Sequence, residues 1–358
     1  MEVVAVPFVS KLKATLIIAF LTKFVAVMLL MVFSLRDQSS LMEKPKRHPT
    51  PCGNSAGHLY SDYLETGQPK VKTSLLVVVL SALDKFERRS MIRRTWWQDC
   101  KRFDNVTCMF MIDSLEGQEK NIKIKEELAT NNDMLISPVK PGLRFGHRVL
   151  YAMQWAMNYY DFKYLIRADD DVLLCIEHLL HRMNSLPTSY FMSGYLHCQQ
   201  EGIVYIDEGI VTFSQDVVRM FLSQKPNDMY CHTYGDQTYS TWIKHLNMDA
   251  SKLYHDETRI HHHPPASRVD ELKNITRICY KYIALHGVYG SDMLTFWNRR
   301  FTKTFPIDTG IRKLKAICPF KPTYDWRKFE GMYGFEPKLC NDHRVWAGIK
   351  FKVLFSRE

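Results

Sequence analysis

The sequence lacks internal repeats and low-complexity runs, which leaves an ordinary globular chain rather than a repeat array or a disordered linker. It also lacks zinc-finger spacing, an RNA-binding signature and any dense Lys/Arg block, so nucleic acid is not an expected partner. The surplus of 48 Lys and Arg over 38 Asp and Glu, a net charge of +10, points instead to phosphate-bearing substrates or an anionic membrane. Nine cysteines occur without a C-x-x-C pair; the odd count leaves at least one thiol unpaired within the chain, and spacing assigns no disulfide. With 358 residues there is room for one large α/β domain, or one domain plus an extension.

What is present begins at the N-terminus. Ala14 to Leu35 is almost wholly apolar, follows Lys11 and Lys13, and is long enough to span a bilayer. Lys23 near its middle costs about 2.5–3.5 kcal/mol on the insertion scale, against a return of about 0.3–0.6 kcal/mol from each Leu, Ile, Phe or Val. The competing reading is a cleaved signal peptide with its core at Phe24 to Phe33, but no small-x-small site follows Phe33. The expectation is therefore an uncleaved anchor: a cytoplasmic tail over 1–13, a signal-anchor helix over 14–35 and a Pro/Gly-containing stem over 36–72. Arg36, Lys44, Lys46 and Arg47 make the far flank basic too, so charge alone leaves the orientation open. Either reading sends the remainder into the secretory pathway, and the sequons at Asn105 and Asn274 agree with that.

From Ser74 onward, strands and helices alternate. Ser74 to Ser81 is a β-branched run typical of a strand covered on both faces. A helix is expected over Glu87 to Thr95, a strand over Thr107 to Ile112, a helix over Leu115 to Thr130 and a strand over Met134 to Ser137. Phe145 to Tyr160 carries Phe145, Val149, Met153, Ala156, Met157 and Tyr160 at helical spacing. Such alternation predicts an α/β fold with a mostly parallel central sheet flanked by helices, spanning 73–300, with a C-terminal extension over 301–358 packed on it.

The organising stretch is Tyr164-Leu165-Ile166-Arg167-Ala168-Asp169-Asp170-Asp171-Val172. An apolar strand delivers three carboxylates to its C-terminal end, where open α/β sheets hold ligands. Three adjacent like charges with apolar flanks call for a cation, and hard oxygen donors suit Mg²⁺ or Mn²⁺ shared with substrate phosphates. On an extended backbone Asp169 and Asp171 share one face and Asp170 takes the other. The plainer reading is an acidic turn before the helix expected at Cys175 to Asn184.

Four segments in order resemble the β1,3-glycosyltransferase family, which includes β1,3-galactosyltransferases, β1,3-N-acetylglucosaminyltransferases, core 1 synthases and Fringe. Ser74 to Trp96, a strand followed by Arg88-Arg89-Ser90-Met91-Ile92-Arg93-Arg94-Thr95-Trp96, is similar to its R-x-x-I-R-x-T-W opening, and the Asp triplet to its D-x-D-type metal motif. Tyr205 to Val218, with Gly209, Ser214 and Asp216, resembles its Gly-rich strand, and Cys279 to Met293 its late strand ending in His286. Two departures stand out. Gly235-Asp236-Gln237 replaces Glu-Asp-Val, and Glu208-Gly209-Ile210-Val211 replaces the Gly-Gly-Tyr run.

The resemblance implies a GT-A-type nucleotide-sugar-binding fold. It implies an inverting, Mn²⁺-dependent transferase that moves galactose or N-acetylglucosamine from a UDP-sugar to a glycan or glycoprotein in β1,3 linkage. The setting would be the Golgi membrane, as a single-pass type II protein with a lumenal catalytic domain; a homodimer remains open. Asp171, His286 and Asp169 would hold the metal, and Asp169, Asp170, Arg88 and Arg93 the donor. Asp236 would be the base, with Asp207, Glu208 and Asp216 next in line and an N-cap role for a helix over Thr238 to His245 as the alternative. His261-His262-His263, without a Cys or acidic partner at metal spacing, reads as a loop near the acceptor groove or a surface tract. Trp96 and Trp97 read as packing residues. The rival function is a catalytically inactive glycan-binding or chaperone protein of the same fold.

Overall fold

The computed structural model describes residues 70–117, 121–198, 204–262, 272, 274–307, 310–319 and 336–341. The expected anchor, most of the stem, Cys52 and His263 lie outside the described residues. Among the described residues no helix is long and apolar enough to cross a membrane.

The first half of the domain builds the parallel side of an eight-stranded sheet. It runs β1 (Val71–Leu80), α1 (Phe86–Arg94), α2 (Trp97–Arg102), β2 (Val106–Ile112), α3 (Ile122–Thr130), β3 (Met134–Ile136), α4 (Phe145–Tyr159) and β4 (Tyr160–Asp169). β1 lies between β4 and β2, and β3 is the edge, all parallel. The continuous apolar run of β1 is explained by burial on both faces. Leu76, Val78 and Leu80 join Val149, Met153, Ala156 and Met157 of α4, whereas Leu75, Val77 and Val79 join Ile92, Trp96 and Trp97. Trp97 stacks on Phe110 with centroids 4.1 Å apart, and Trp96 Nε1 donates to the carbonyl of Val172 at 2.9 Å, so both tryptophans are core.

After β4 come β5 (Leu173–Leu174), α5 (Ile176–Arg182), β6 (Met192–Cys198), β7 (Val204–Ser214), α6 (Gln215–Leu222), β8 (Tyr230–Cys231), α7 (Gly235–His245), α8 (Ala250–Leu253) and β9 (Tyr254–Glu257). The chain continues through β10 (Ile260–His261), α9 (Ile278–Lys281), β11 (Ala284–Leu285), α10 (Gly290–Asn298), β12 (Ile311–Lys313) and β13 (Lys338–Leu339). The large sheet has the order β12-β9-β6-β7-β4-β1-β2-β3. Four of its neighbouring pairs are parallel and three antiparallel, so the mostly parallel expectation holds, with the antiparallel pairs on the β7 side.

Some boundaries differ from the sequence reading. The helix expected from Leu115 begins at Ile122, because Gly117 takes a positive φ of 78° and Asn121 caps the helix, accepting from the Ile124 amide. The late strand ending in His286, expected within Cys279 to Met293, is confined to Ala284–Leu285 and follows the short helix α9. The helix expected from Thr238 starts three residues earlier, at Gly235, whose amide donates to Glu208 Oε2 at 2.6 Å. That satisfied N-terminus comes from a neighbouring strand and is invisible to local reading.

Four disulfides join eight cysteines: Cys100–Cys108, Cys175–Cys279, Cys198–Cys318 and Cys231–Cys340. The last two fasten residues beyond 301 to β6 and β8, and β12 extends the sheet edge by pairing with β9.

Candidate active site

β4 ends at Asp169, level with Leu80 at the end of β1, so the triplet emerges at the C-terminal edge of the two central strands. The three carboxylates divide as expected, although β4 ends at Asp169 and a turn at Asp170 and Asp171, rather than extended backbone, separates them. Asp170, buried, accepts from Ser81 Oγ at 2.7 Å and from Arg88 Nη1 at 2.7 Å. Asp169 and Asp171 turn to the other side, where His286 Nε2 lies 4.0 Å from Asp169 Oδ2 and 3.5 Å from Asp171 Oδ1.

His286 arrives there through backbone register. β11 pairs antiparallel with β5, directly after the triplet, and the Val288 amide donates to the carbonyl of Asp171 at 2.7 Å. The Cys175–Cys279 disulfide ties the two segments together. Gly209 of β7 completes the fit: a Cβ there would collide with the imidazole of His286. This is a close approach that only glycine permits.

One potential ligand atom each from Asp169, Asp171 and His286 lies within 4.8 Å of the others. Two carboxylates and an imidazole suit Mn²⁺ or a similar divalent ion. The electrostatics fit as well. Desolvation, opposed by Arg167 and reinforced by the charges of Asp171, Glu208 and Asp170, pushes Asp169 well above the usual carboxylate range. A cation relieves that strain.

β7 runs antiparallel to β4, with Ala168 opposite Ile210, and so brings Asp207 and Glu208 alongside the triplet. Arg167, fully buried, bridges the two strands: its Nη2 is 2.8 Å from Asp169 Oδ1 and 3.7 Å from Glu208 Oε2. Glu208 is raised by burial, against the pull of Arg167 and the Gly235 amide. Asp236, in the first turn of α7, is buried and accepts from the Gln237 amide at 2.6 Å. Burial and the charges of Glu208 and Asp207 push it well above the usual range. It is a first-turn residue rather than the N-cap, which is Tyr234.

The two departures from the family pattern meet in space. A Cβ at Gly235 would stand 2.6 Å from Glu208 Oε2, so the acid on β7 occupies the ground that a side chain at 235 would need. The pairing was legible in the sequence only as two separate anomalies.

The arginines of α1 separate. Arg88 reaches Asp170 and lies 3.6 Å from Asp171. Arg93 is not brought to the triplet: its guanidinium pairs with Asp133 at 2.8 Å and Glu127 at 2.7 Å. The helical turn that directs Arg88 towards the strand ends directs residue 93 towards α3 and β3. Asp216 is also remote. It lies beyond Ser214, which pairs with Tyr164 at the opposite end of β7, and it accepts from the Tyr190 amide and Ser214 Oγ.

Of the histidine tract, His261 and His262 are half-buried. His261 is in β10, paired beside Leu285, and His262 Nδ1 lies 3.4 Å from His286 Nδ1. His197, which the sequence did not single out, stands 3.3 Å from Asp207 through Nε2. Burial alone would raise Asp207, but His197, His262, His286 and the Gly209 amide outweigh it and hold the carboxyl well below its ordinary value.

Residues 87–239 match the family model described as galactosyltransferase. A Homo sapiens lactosylceramide 1,3-N-acetyl-beta-D-glucosaminyltransferase is 30% identical over 144 residues, covering 37% of this chain and 38% of that protein. A Mus musculus beta-1,3-galactosyltransferase 6 is 29% identical over 121 residues, covering 32% of this chain and 36% of that protein. The matches thus span little more than a third of the length of these two relatives. Among solved structures, the galactosyltransferase LgtC with donor and acceptor sugar analogs covers 65% of this chain at 10% identity, with a TM-score of 0.36. Over residues 87–239 the chain matches the galactosyltransferase family, and it is distantly similar to the β1,3-galactosyl- and β1,3-N-acetylglucosaminyltransferases.

Proposed function

We propose that the chain is an inverting, metal-dependent glycosyltransferase that moves galactose or N-acetylglucosamine from a UDP-sugar to a glycan or glycoprotein acceptor in β1,3 linkage. The observation that carries the reading is the convergence of Asp169, Asp171 and His286 at the end of the central strands, beside a buried acid at Asp236. Asp171, His286 and Asp169 would hold a divalent cation such as Mn²⁺, which when bound offsets charge on a leaving diphosphate.

The chain's own groups prepare the rest. Arg88, bridging Asp170 and Asp171, places a guanidinium where donor oxygens would arrive. Ser81 and Arg88 together hold Asp170 in place, leaving Asp169 and Asp171 to face His286. Asp236 acts as general base towards the acceptor hydroxyl. Its burial among Glu208 and Asp207 makes its carboxylate a stronger proton acceptor than an exposed aspartate. Anchoring by residues 14–35 in the Golgi membrane, with the domain lumenal, belongs to the same proposal. The disulfides and the exposed Asn105 and Asn274 support it.

The test is a panel of nucleotide sugars assayed for hydrolysis and transfer with and without Mn²⁺, using wild type and Asp171→Ala. The expected outcome is metal-dependent turnover of one UDP-sugar, with metal-supported donor binding lost in the variant. Donor binding without turnover on any acceptor points to a binding protein of the same fold, and unchanged metal dependence in Asp171→Ala overturns the site.

A further inference from the structure

We infer that His197, Asp207 and His262 form a second metal site, of zinc-binding character, separate from the Asp169/Asp171/His286 centre. The inference goes beyond the proposed transferase activity and does not need it.

The three residues come from the end of β6, from β7 and from the residue after β10, so only the tertiary fold brings them together. Their potential ligand atoms lie within 4.8 Å of one another. His197 Nε2 is 3.3 Å and His262 Nε2 is 3.6 Å from the same oxygen, Asp207 Oδ2. The first contact is a hydrogen bond, slightly longer than the usual N–H···O range of about 2.7–3.2 Å. Both separations also suit the edge of a tetrahedron around zinc, where ligands about 2 Å from the ion stand roughly 3.3 Å apart.

The side chains are held in that arrangement. Asp207 Oδ1 is occupied by the Gly209 amide at 2.8 Å, which turns Oδ2 towards the two imidazoles. The His197 ring stacks on Tyr205 with centroids 4.6 Å apart, and that of His262 on Tyr195 at 4.2 Å. Such backing restricts ring rotation and keeps both Nε2 atoms aimed at Asp207. All three ligands are only half-buried, which leaves room for a water or substrate atom as a fourth ligand.

The two centres differ in hardness. Two imidazoles and one carboxylate favour Zn²⁺, whereas two carboxylates and one imidazole favour Mn²⁺ or Mg²⁺. They adjoin without sharing a ligand: His286 offers Nε2 to Asp169 and Asp171, while its Nδ1 faces Asp207 Oδ1 at 3.8 Å.

The full chain, purified in detergent and stripped with chelator, is dialysed against Zn²⁺, Mn²⁺ or both, and bound metal is counted by mass spectrometry. Wild type should retain Zn²⁺ against excess Mn²⁺ and take up Mn²⁺ in addition. His197→Ala and His262→Ala should each lose the retained Zn²⁺ and keep Mn²⁺, and Asp171→Ala should do the reverse. Cobalt substitution of wild type, read by the visible absorption of a tetrahedral ion, gives an answer independent of variant folding. Zinc uptake unchanged in both histidine variants, zinc lost in Asp171→Ala, or a purely octahedral cobalt spectrum each overturns the second site. Loss of Mn²⁺ uptake alone would count against the transferase centre and leave this site standing.

Discussion

The two halves of the candidate active site are built in opposite ways. The donor half is contiguous: three carboxylates in a row where one strand ends, divided by the turn that follows it and met by Ser81 and Arg88. The other half is assembled from Glu208 of β7, Asp236 of α7, His262 after β10 and His286 after β11. Arg167 bridges strands β4 and β7, and β11 is held to β5 by register and to Cys175 by a disulfide. A contiguous site survives in the sequence as a motif. An assembled one survives only as scattered residues whose partners are set by strand order.

The largest expected effect separates the halves chemically. Asp236→Asn keeps shape and lies in the assembled half, so transfer should fall about 10²–10⁴-fold while Mn²⁺ and UDP-sugar affinities stay near wild type. Kinetics alongside calorimetric donor titration check this. A wild-type rate would move the base to Glu208 or Asp207.

The joint between the halves should be acid-sensitive. His178 of α5 packs against the segment before β11, its Nδ1 donating to the carbonyl of Tyr282 at 3.2 Å. Burial, more than the opposing hydrogen bond, lowers its pKa from 6.5 to about 4. Between those values the unfolded chain takes up a proton that the folded chain refuses, so stability falls as pH falls, by about 3 kcal/mol in all. His178→Gln removes that titration, and its denaturation midpoint should depend less on pH across that window. An unchanged slope would remove His178 as the cause.

Arg88 and Arg93 test whether the donor half is confined to one face of α1. Arg88→Ala should weaken donor binding by about 1.5–3 kcal/mol, the range for a charge-assisted hydrogen bond. Arg93→Ala should reduce thermal stability, by leaving Glu127 and Asp133 short of a partner, with donor affinity retained. Reversed outcomes would return Arg93 to the donor site.

The smallest effect probes the contact between the halves. Gly209→Ala pushes on the His286 ring and should weaken Mn²⁺ binding about 10–100-fold, as when a metal ligand loses its support. Direct Mn²⁺ titration checks it, and an unshifted affinity would mean that the ring is not held by β7.

By itself the sequence determined the parallel half of the sheet, because doubly buried strands such as β1 and an amphipathic α4 advertise their burial in composition. It also placed the Asp triplet at the end of a buried strand, although the division of the three carboxylates is made by a turn at Asp170 and Asp171 rather than by strand alternation. Only the tertiary structure decided the rest. Whether an arginine on α1 meets Asp170 or Glu127 depends on which neighbour packs against its face. The start of α7 depends on an acid supplied by β7, and cysteine pairs such as Cys175–Cys279 and Cys198–Cys318 on distant segments brought close by folding. The histidine tract is the clearest case. The acidic group that faces it, and that the inferred second metal site would use, is Asp207, more than fifty residues away in sequence and 3.6 Å from His262 in space. Spacing encodes ligands only when they share one element, and here sheet order does that work.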